Sequence, residues 1–272
     1  ARYSRPIEVG DTSASERLKS RTRPFILRRM KSEVARELPP KTEVELHCEL
    51  SNEERVVYDA ILSAARNDAL VRLERGEGIL SVLEALLRLR QACCHVGLLP
   101  GHDSASSSKV DLLVETLVLS KSQGHRSLVF SQWTSLLDLI ELRLAREDLT
   151  FCRIDGSTSQ RGVVVEEFQR PSGPDLMLLS LKAGGVGLTL TAADHVFIVD
   201  PWWNPAVEDQ ASDRAYRIGQ EHPVLVHRLV AQDTIEERIL ALQRHKRTLL
   251  RAALGGEAGA GLTRHELLAI LA

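Results

Sequence analysis

Apolar residues follow two different rhythms along this chain, and the change between them falls near Lys109. Upstream, Thr42 to Leu50 carries Val44, Leu46, Cys48 and Leu50 at alternate positions, which predicts a half-buried strand starting after Pro39-Pro40. Ser51 followed by Glu54 forms a capping box, and it opens a helix with Val57, Ala60, Ile61, Ala64 and Ala65 turned inward. A second apolar helix is predicted from about Leu80 to Cys94. The Gly- and Ser-rich stretch from Pro100 to Ser108 reads as a hinge or boundary.

Downstream, short apolar runs at Ser127–Phe130, Thr150–Ile154, Asp175–Leu181, His195–Val199 and Pro223–Val230 are separated by amphipathic stretches, such as the one carrying Leu136, Leu137, Ile140 and Leu144. Fully apolar strands joined by helices imply a parallel sheet covered on both faces. The expected fold is a doubly wound α/β lobe with a helical insertion on its N-terminal side. A long helix is expected from the capping box Thr234…Glu237 to about Gly255-Gly256, and a weaker one from Thr263…Glu266.

Composition narrows the picture little. The 272 residues are 43% hydrophobic and 26% charged with a net charge of −2, so any nucleic-acid contact must come from local clusters. Arg outnumbers Lys 28 to 7, which fits a GC-rich bacterial genome and also suits phosphate recognition. Residues 17–36 concentrate eight basic side chains against Glu33 alone, and a solvated linker helix and a phosphate-facing one are equally compatible with that. No apolar run reaches the roughly 18 residues a membrane span needs, and no signal peptide precedes Ser4-Arg5-Pro6. Cys93-Cys94-His95 lacks the spaced pairs of a zinc site, so burial in a reducing, intracellular protein is the expectation and no metal is assigned.

Ligands of such sheets gather at the carboxyl ends of the strands. Four polar or glycine-rich segments fall there: Ser131-Gln132-Trp133, Asp155-Gly156-Ser157-Thr158, the segment from Leu181-Lys182 through Gly184, Gly185 and Gly187, and Asp200-Pro201-Trp202-Trp203-Asn204-Pro205. Glycines let backbone N–H groups approach an anion, and hydroxyls and a Lys add hydrogen bonds. Asp155-Gly156 taken alone is more simply a turn. In Gln210–Gln220, Arg214 and Arg217 are three apart, so on a helix they share a face near its C-terminal end, and Gly219 supplies a left-handed stop. The plainer alternative is that these arginines complement the helix dipole.

The order of SLVFSQW, DGSTS, LKAGGVGLTLTAADHVFIVDPWWNP and QASDRAYRIGQ resembles motifs IV to VI of the SWI/SNF family in helicase superfamily two. RPFILRRMKSEVARELPPKTE resembles that family's inter-lobe segment, LRLRQACCHVGLL a packing helix, and RLVAQDTIEERIL the brace after motif VI. The resemblance implies a RecA-like C-terminal motor lobe of an ATP-dependent double-stranded DNA translocase. It divides the chain into 1–50 (inter-lobe linker and edge of the absent first lobe), 51–108 (helical insertion), 109–256 (RecA-like lobe) and 257–272 (C-terminal helix).

Carried over, Arg217 is a finger on the γ-phosphate with Arg214 and Gln210 beside it, and Gly185 and Gly187 line the nucleotide. Ser131, Gln132, Gly156, Ser157, Thr158, Lys182, Gly184 and Gly185 follow the DNA backbone, while Trp202, Trp203 and Asn204 couple the two sides. Trp133 either stacks or packs, and packing is the expectation for a large aromatic. ATP and Mg2+ would be held mainly by the first lobe, since neither a Gly-Lys nor an Asp-Glu dipeptide occurs here. The isolated chain is therefore expected to be inactive. Departures from the pattern are Tyr216, where the family often has His, and Arg161-Gly162. A regulatory module that has lost catalysis and a strand-separating helicase are the alternatives. No membrane partner is implied, the protein cargo is undefined, and the location would be the bacterial nucleoid or the nucleus.

Overall fold

The structure, a computed structural model, describes residues 3, 11–22, 24, 35, 37–74, 79–104, 106–182, 187–252 and 270. Helix α1 (Thr12–Thr22) leads to strand β1 (Lys41–Cys48), helices α2 (Asn52–Glu74) and α3 (Ile79–Cys94), and a 3-10 turn at Val96–Leu98. The lobe proper then alternates: α4 (Ser108–Ser122), β2 (Ser127–Ser131), α5 (Thr134–Leu144), β3 (Phe151–Ile154), α6 (Arg161–Gln169), β4 (Leu176–Ser180), β5 (His195–Ile198), α7 (Pro205–Ser212), β6 (Val224–Ala231) and α8 (Ile235–Ala252).

All six strands are parallel, in the order β1-β6-β5-β2-β4-β3. Side chains alternate across the sheet as the pleat requires. Val129, Leu176, Leu178 and Phe197 meet α4 and α5 on one face. Leu128, Phe130, Met177, Leu179, Val196 and Ile198 meet Phe168 of α6 and Ala211 of α7 on the other. The doubly wound reading therefore holds, with strands β2 and β4 buried along their whole length.

Strand β1 corrects the expected boundary. It pairs with β6 over eight residues, Lys41 with Val224 through Cys48 with Ala231, so residues 41–48 form the edge of this sheet rather than of another lobe. The alternating pattern at Val44–Leu50 announced a half-buried strand but could not say which sheet it joins. Of the basic stretch, Arg17 and Arg21 stand exposed on α1, Lys19 lies on the same helix, and Arg23, Arg28, Arg29, Lys31 and Arg36 lie outside the described residues. The 257–272 helix is likewise outside them except for Ile270, which is buried against α3 and α8.

The helical insertion shares a core with the lobe. Leu86, Leu89 and Cys93 of α3 pack with Tyr58 of α2 and with Ile235 and Ile239 of α8. Its start is the predicted capping box: Ser51 N–H donates to Glu54 Oε2 at 2.8 Å and Glu54 N–H to Ser51 Oγ at 3.3 Å. The end of the Pro100–Ser108 stretch is tied to the helices before it: Ser107 Oγ donates to Cys94 O at 2.6 Å and Ser108 N–H to Glu54 Oε1 at 3.0 Å. At α8 the expected box is replaced. Thr234 Oγ1 accepts from Glu236 N–H, and the carboxylate that turns back belongs to Glu236, one residue before Glu237.

Glu236 also holds the buried ammonium of Lys109, at 2.6 Å through Oε1, while Lys109 donates to Val199 O at 3.3 Å. Burial alone would lower the Lys109 pKa, but the Glu236 carboxylate raises it, so the ammonium stays charged. One ion pair thus joins α4, the end of β5 and α8. Lys109→Met should cost about 3–5 kcal/mol in urea denaturation, because it strands a buried carboxylate, and Lys109→Met/Glu236→Leu should recover much of the loss. A single-variant cost below about 1 kcal/mol would mean that this pair does not anchor the lobe.

Candidate functional site

Strands β2 and β5 are neighbours from which the chain winds in opposite directions, toward β4 and β3 on one side and β6 and β1 on the other. Their carboxyl ends straddle the position where open α/β sheets bind ligands. Asp200, at the end of β5, is fully buried, and its two carboxylate oxygens accept the Gln132 N–H at 3.2 and 3.1 Å. Burial pushes its pKa up to about 7, against the opposing pull of Arg90 and of the hydrogen bonds from Ser131 and Gln132.

Sequence reasoning missed Arg90. It is 1% exposed, yet its guanidinium carbon lies 4.9, 5.0 and 4.4 Å from the ring centroids of Trp133, Trp202 and Trp203. It donates to Gln132 Oε1 at 3.1 Å and Pro201 O at 2.9 Å, and its Nη2 lies 3.8 Å from Asp200 Oδ2. A helical wheel held the signal: Arg90 is four residues after Leu86 and three and four before Cys93 and Cys94, so it belongs to the apolar face. A cation there must find a buried partner.

This cage redefines several expected contacts. Ser131 is fully buried, and its hydroxyl receives the Trp133 N–H at 3.0 Å and bonds Asp200, so it shapes the turn and cannot itself meet a DNA backbone. Trp133 packs, as expected, on the α4–α5 face and against Arg90. Gln132 is half-buried, and its Nε2 has no partner. In the next segment Ser157 Oγ and N–H both donate to Asp155 Oδ1, at 2.6 and 2.8 Å, and Thr158 Oγ1 accepts the Asp155 N–H at 3.0 Å. The Ser157 hydroxyl donates within the turn, the Thr158 hydroxyl accepts there and keeps its own O–H to donate, and Gly156 faces open space. Lys182 is exposed. Gly184 and Gly185 lie outside the described residues.

The arginine segment differs from its expected geometry. Helix α7 stops at Ser212, and the chain continues in tighter turns, with Arg214 N–H donating to Ala211 O and Gln220 N–H to Arg217 O. Arg214 and Arg217 therefore stand on turns beyond the helix. Gly219 does take the left-handed conformation at φ 96°, closing those turns rather than α7. A run of good helix formers could not reveal that Leu190 N–H would claim the Arg214 carbonyl, at 2.9 Å.

Arg217 is half-buried and already partnered: its Nη1 donates to Gly187 O at 2.9 Å and Leu188 O at 3.3 Å. Arg214 is 6% exposed, and its buried Nε has no partner among the described residues. Burial, and secondarily the Arg217 charge, lowers the Arg214 pKa. Gln210 is exposed on α7. Asn204 caps α7 by accepting the Ala206 N–H at 3.1 Å. Behind it, Glu208 receives the Trp202 N–H at 2.8 Å and Arg228 Nε at 2.7 Å, and Gln243 of α8 donates to Trp202 O and to Glu208. Cys93, Cys94 and His95 are packed: burial pushes both thiols up, and His95 Nδ1 accepts the Gly97 N–H at 3.0 Å.

Comparison with known proteins adds family-level findings. Residues 108–219 match the helicase conserved C-terminal domain, and residues 1–98 match the SNF2-related domain. The chain is 42% identical over 237 residues to an Arabidopsis thaliana protein described as probable ATP-dependent DNA helicase CHR23, covering 82% of this chain and 22% of that protein. The chain spans 21–23% of the length of the first curated relatives it matches. Among solved structures it is similar to the Sulfolobus solfataricus SWI2/SNF2 ATPase core in complex with dsDNA (TM-score 0.65, 32% identity, 93% of this chain and 55% of that one). It is also similar to the C-terminal domain of that ATPase (TM-score 0.63, 26% identity, 84% and 93%).

The chain's three tryptophans all face Arg90, so tryptophan emission reports on this cage alone. Arg90→Lys keeps a charge beside Asp200 but loses the planar surface and the forked donors. It should leave the chain folded, red-shift the emission and raise quenching by acrylamide, with a stability loss of about 1–2 kcal/mol in urea titration. Unchanged emission and quenching would show that the indoles hold themselves.

Proposed function

Because this chain belongs to the SNF2-related family as a C-terminal RecA-like motor lobe, we propose that it serves in its parent protein as the second lobe of an ATP-dependent translocase on double-stranded DNA. The observation that carries this reading is the pair Arg214–Arg217. The Arg217 guanidinium bonds the Gly187 and Leu188 carbonyls at the sheet rim, and the buried Nε of Arg214 has no acceptor among the described residues. A buried unsatisfied donor costs roughly 1–3 kcal/mol, so its persistence fits a group that acquires an acceptor from outside the chain. The phosphates of a nucleotide held on an opposing lobe suit both the charge and the planar fork.

Bound ATP with Mg2+ would supply the phosphoryl group whose hydrolysis drives the motor. The chain's own part is electrostatic. Arg217 and Arg214 stabilise charge on the terminal phosphate, Gln210 shapes the adjoining helix face, and Gly187 presents the loop carbonyl that aims Arg217. Gly184 and Gly185 belong to that same loop in this reading. On the DNA side, Lys182 offers a point charge, and the turn built by Asp155, Ser157 and Thr158 presents Gly156 for close backbone approach. Trp202, Trp203 and Asn204 connect the sides through the Arg90 cage and the cap of α7. The work site is wherever the parent meets duplex DNA, in a nucleoid or a nucleus.

Phosphoryl transfer needs a phosphate loop and a metal carboxylate together with the arginines, so the purified chain should show no DNA-stimulated ATPase activity. In the two-lobed parent, Arg217→Ala should lower ATP turnover by about 10³-fold or more while sparing DNA binding. In the isolated chain the same change should cost about 0.5–1.5 kcal/mol, reflecting its bonds to the Gly187 and Leu188 carbonyls. Normal turnover in a folded Arg217→Ala parent would assign the residue to the loop alone.

Binding of duplex DNA by the isolated chain should be weak, on the order of 10⁻⁴–10⁻⁶ M, and independent of sequence. Lys182→Ala should reduce the salt dependence of that binding by about one phosphate contact. An unchanged slope would remove Lys182 from the DNA path.

A further inference from the structure

The opposite edge of the sheet, at the amino ends of the strands, carries a cluster that the motor does not use. His125 lies in the turn before β2, just after Gly124 at φ 81°; Asp194 immediately precedes β5 and His195 begins it; His227 projects from β6. His125 and His195 stack at 4.5 Å between ring centroids, and His125 Nδ1 lies 2.7 Å from Asp194 Oδ2. On its inner side His195 Nδ1 meets Ser120 Oγ at 3.1 Å and His227 Nε2 at 3.3 Å. One candidate donor atom from each of His125, Asp194 and His195 lies within 4.8 Å of the others.

We propose that His125, His195 and Asp194 form a binding site for one divalent transition-metal ion of the zinc class, with His227 as the buried partner that orients His195.

Three observations support this. The donor set, two imidazoles and a carboxylate, suits zinc-class ions and leaves a fourth position for water. His195 divides its ring nitrogens as metal-binding histidines divide theirs: its Nδ1 meets Ser120 and His227, whereas its Nε2 has no hydrogen bond among the described residues. His125 Nδ1 already faces Asp194 Oδ2, the contact into which an ion would enter. Finally, Asp194 is 6% exposed and its buried Oδ1 has no partner among the described residues, nor has Nδ1 of the equally buried His227. A buried carboxylate oxygen with no donor fits a group waiting for a cation.

Tetrahedral ligands at about 2.0–2.2 Å from a zinc-class ion must close to a little over 3 Å from one another. His125 can supply that movement, because its side chain is 38% exposed and follows a glycine turn, while Asp194 and His195 are set by the sheet. The ion would pin the turn before β2 to the start of β5, on the edge opposite the arginine pair and independent of the ATP-site reading.

The test is calorimetric titration of the metal-free chain with Zn2+, and titration with Co2+ followed by visible absorption. One ion per chain, a raised Tm and a cobalt spectrum without thiolate charge-transfer bands are expected. His125→Ala, His195→Ala and Asp194→Asn should each weaken binding by about 100-fold, His227→Gln by about 10-fold, and His222→Ala, outside the cluster, not at all. Circular dichroism checks the fold of each variant. If His195→Ala does not fold, the exposed His125→Ala decides alone. No saturable binding at millimolar Zn2+, full affinity in folded His125→Ala, or thiolate bands from the cysteines would each overturn the proposal.

Discussion

A guanidinium that reaches no water constrains everything near it. Ionised Arg90 must have compensating charge, hydrogen-bond acceptors and polarisable surface within its own contact shell, because desolvating it otherwise costs several kcal/mol. Two segments meet these requirements together: Asp200 and the Pro201 carbonyl come from the end of β5, Gln132 from the end of β2, and indole faces from both. One residue further back, Val199 O takes the second buried cation, Lys109, whose carboxylate partner comes from α8. The carboxyl end of β5 therefore receives two cations from two helices. The helical segment before Lys109 cannot be lifted from the lobe without stranding a charge, and for that reason 51–108 is part of one folded body rather than an appended insertion.

Periodicity carried most of the architecture. Five mostly apolar runs became five parallel strands, because strands covered by helices on both faces bury most of their side chains; the polar exceptions, such as Arg228 of β6, are paired. Ser51 and Glu54 became the capping box they spell. What stayed hidden depends on partners distant in sequence. Strand β1 reads as half-buried, yet only its register against β6 places it at the edge of this sheet. At α8 the neighbouring acids Glu236 and Glu237 are indistinguishable locally, and a lysine 127 residues away selects the first.

The site residues divide along the same line. Segments were identified more surely than atoms: all four rim segments flank the carboxyl ends of neighbouring strands, but hydroxyls expected to face a ligand at Ser131 and Ser157 are engaged by their own turns. This follows from local chemistry, since Asp, Ser and Thr compete with any external partner for the nearest backbone N–H. Arg90 was legible on a helical wheel as a cation within an apolar stripe. The end of α7 was not, because it depends on a carbonyl bond from Leu190.

The loop after β4 links the two proposed contact surfaces physically. It begins with exposed Lys182 on the DNA side of the reading and ends with Gly187 and Leu188, whose carbonyls hold Arg217, and with Leu190, whose N–H holds the Arg214 carbonyl. A displacement of this loop by a DNA phosphate would move the acceptors that aim Arg217, and engagement of Arg217 by a nucleotide would release the loop from the same bonds. Both ligands would then act on one set of hydrogen bonds, each worth only about 1 kcal/mol, so exchange between the two arrangements is within reach of binding energy. Such coupling would be reciprocal by linkage.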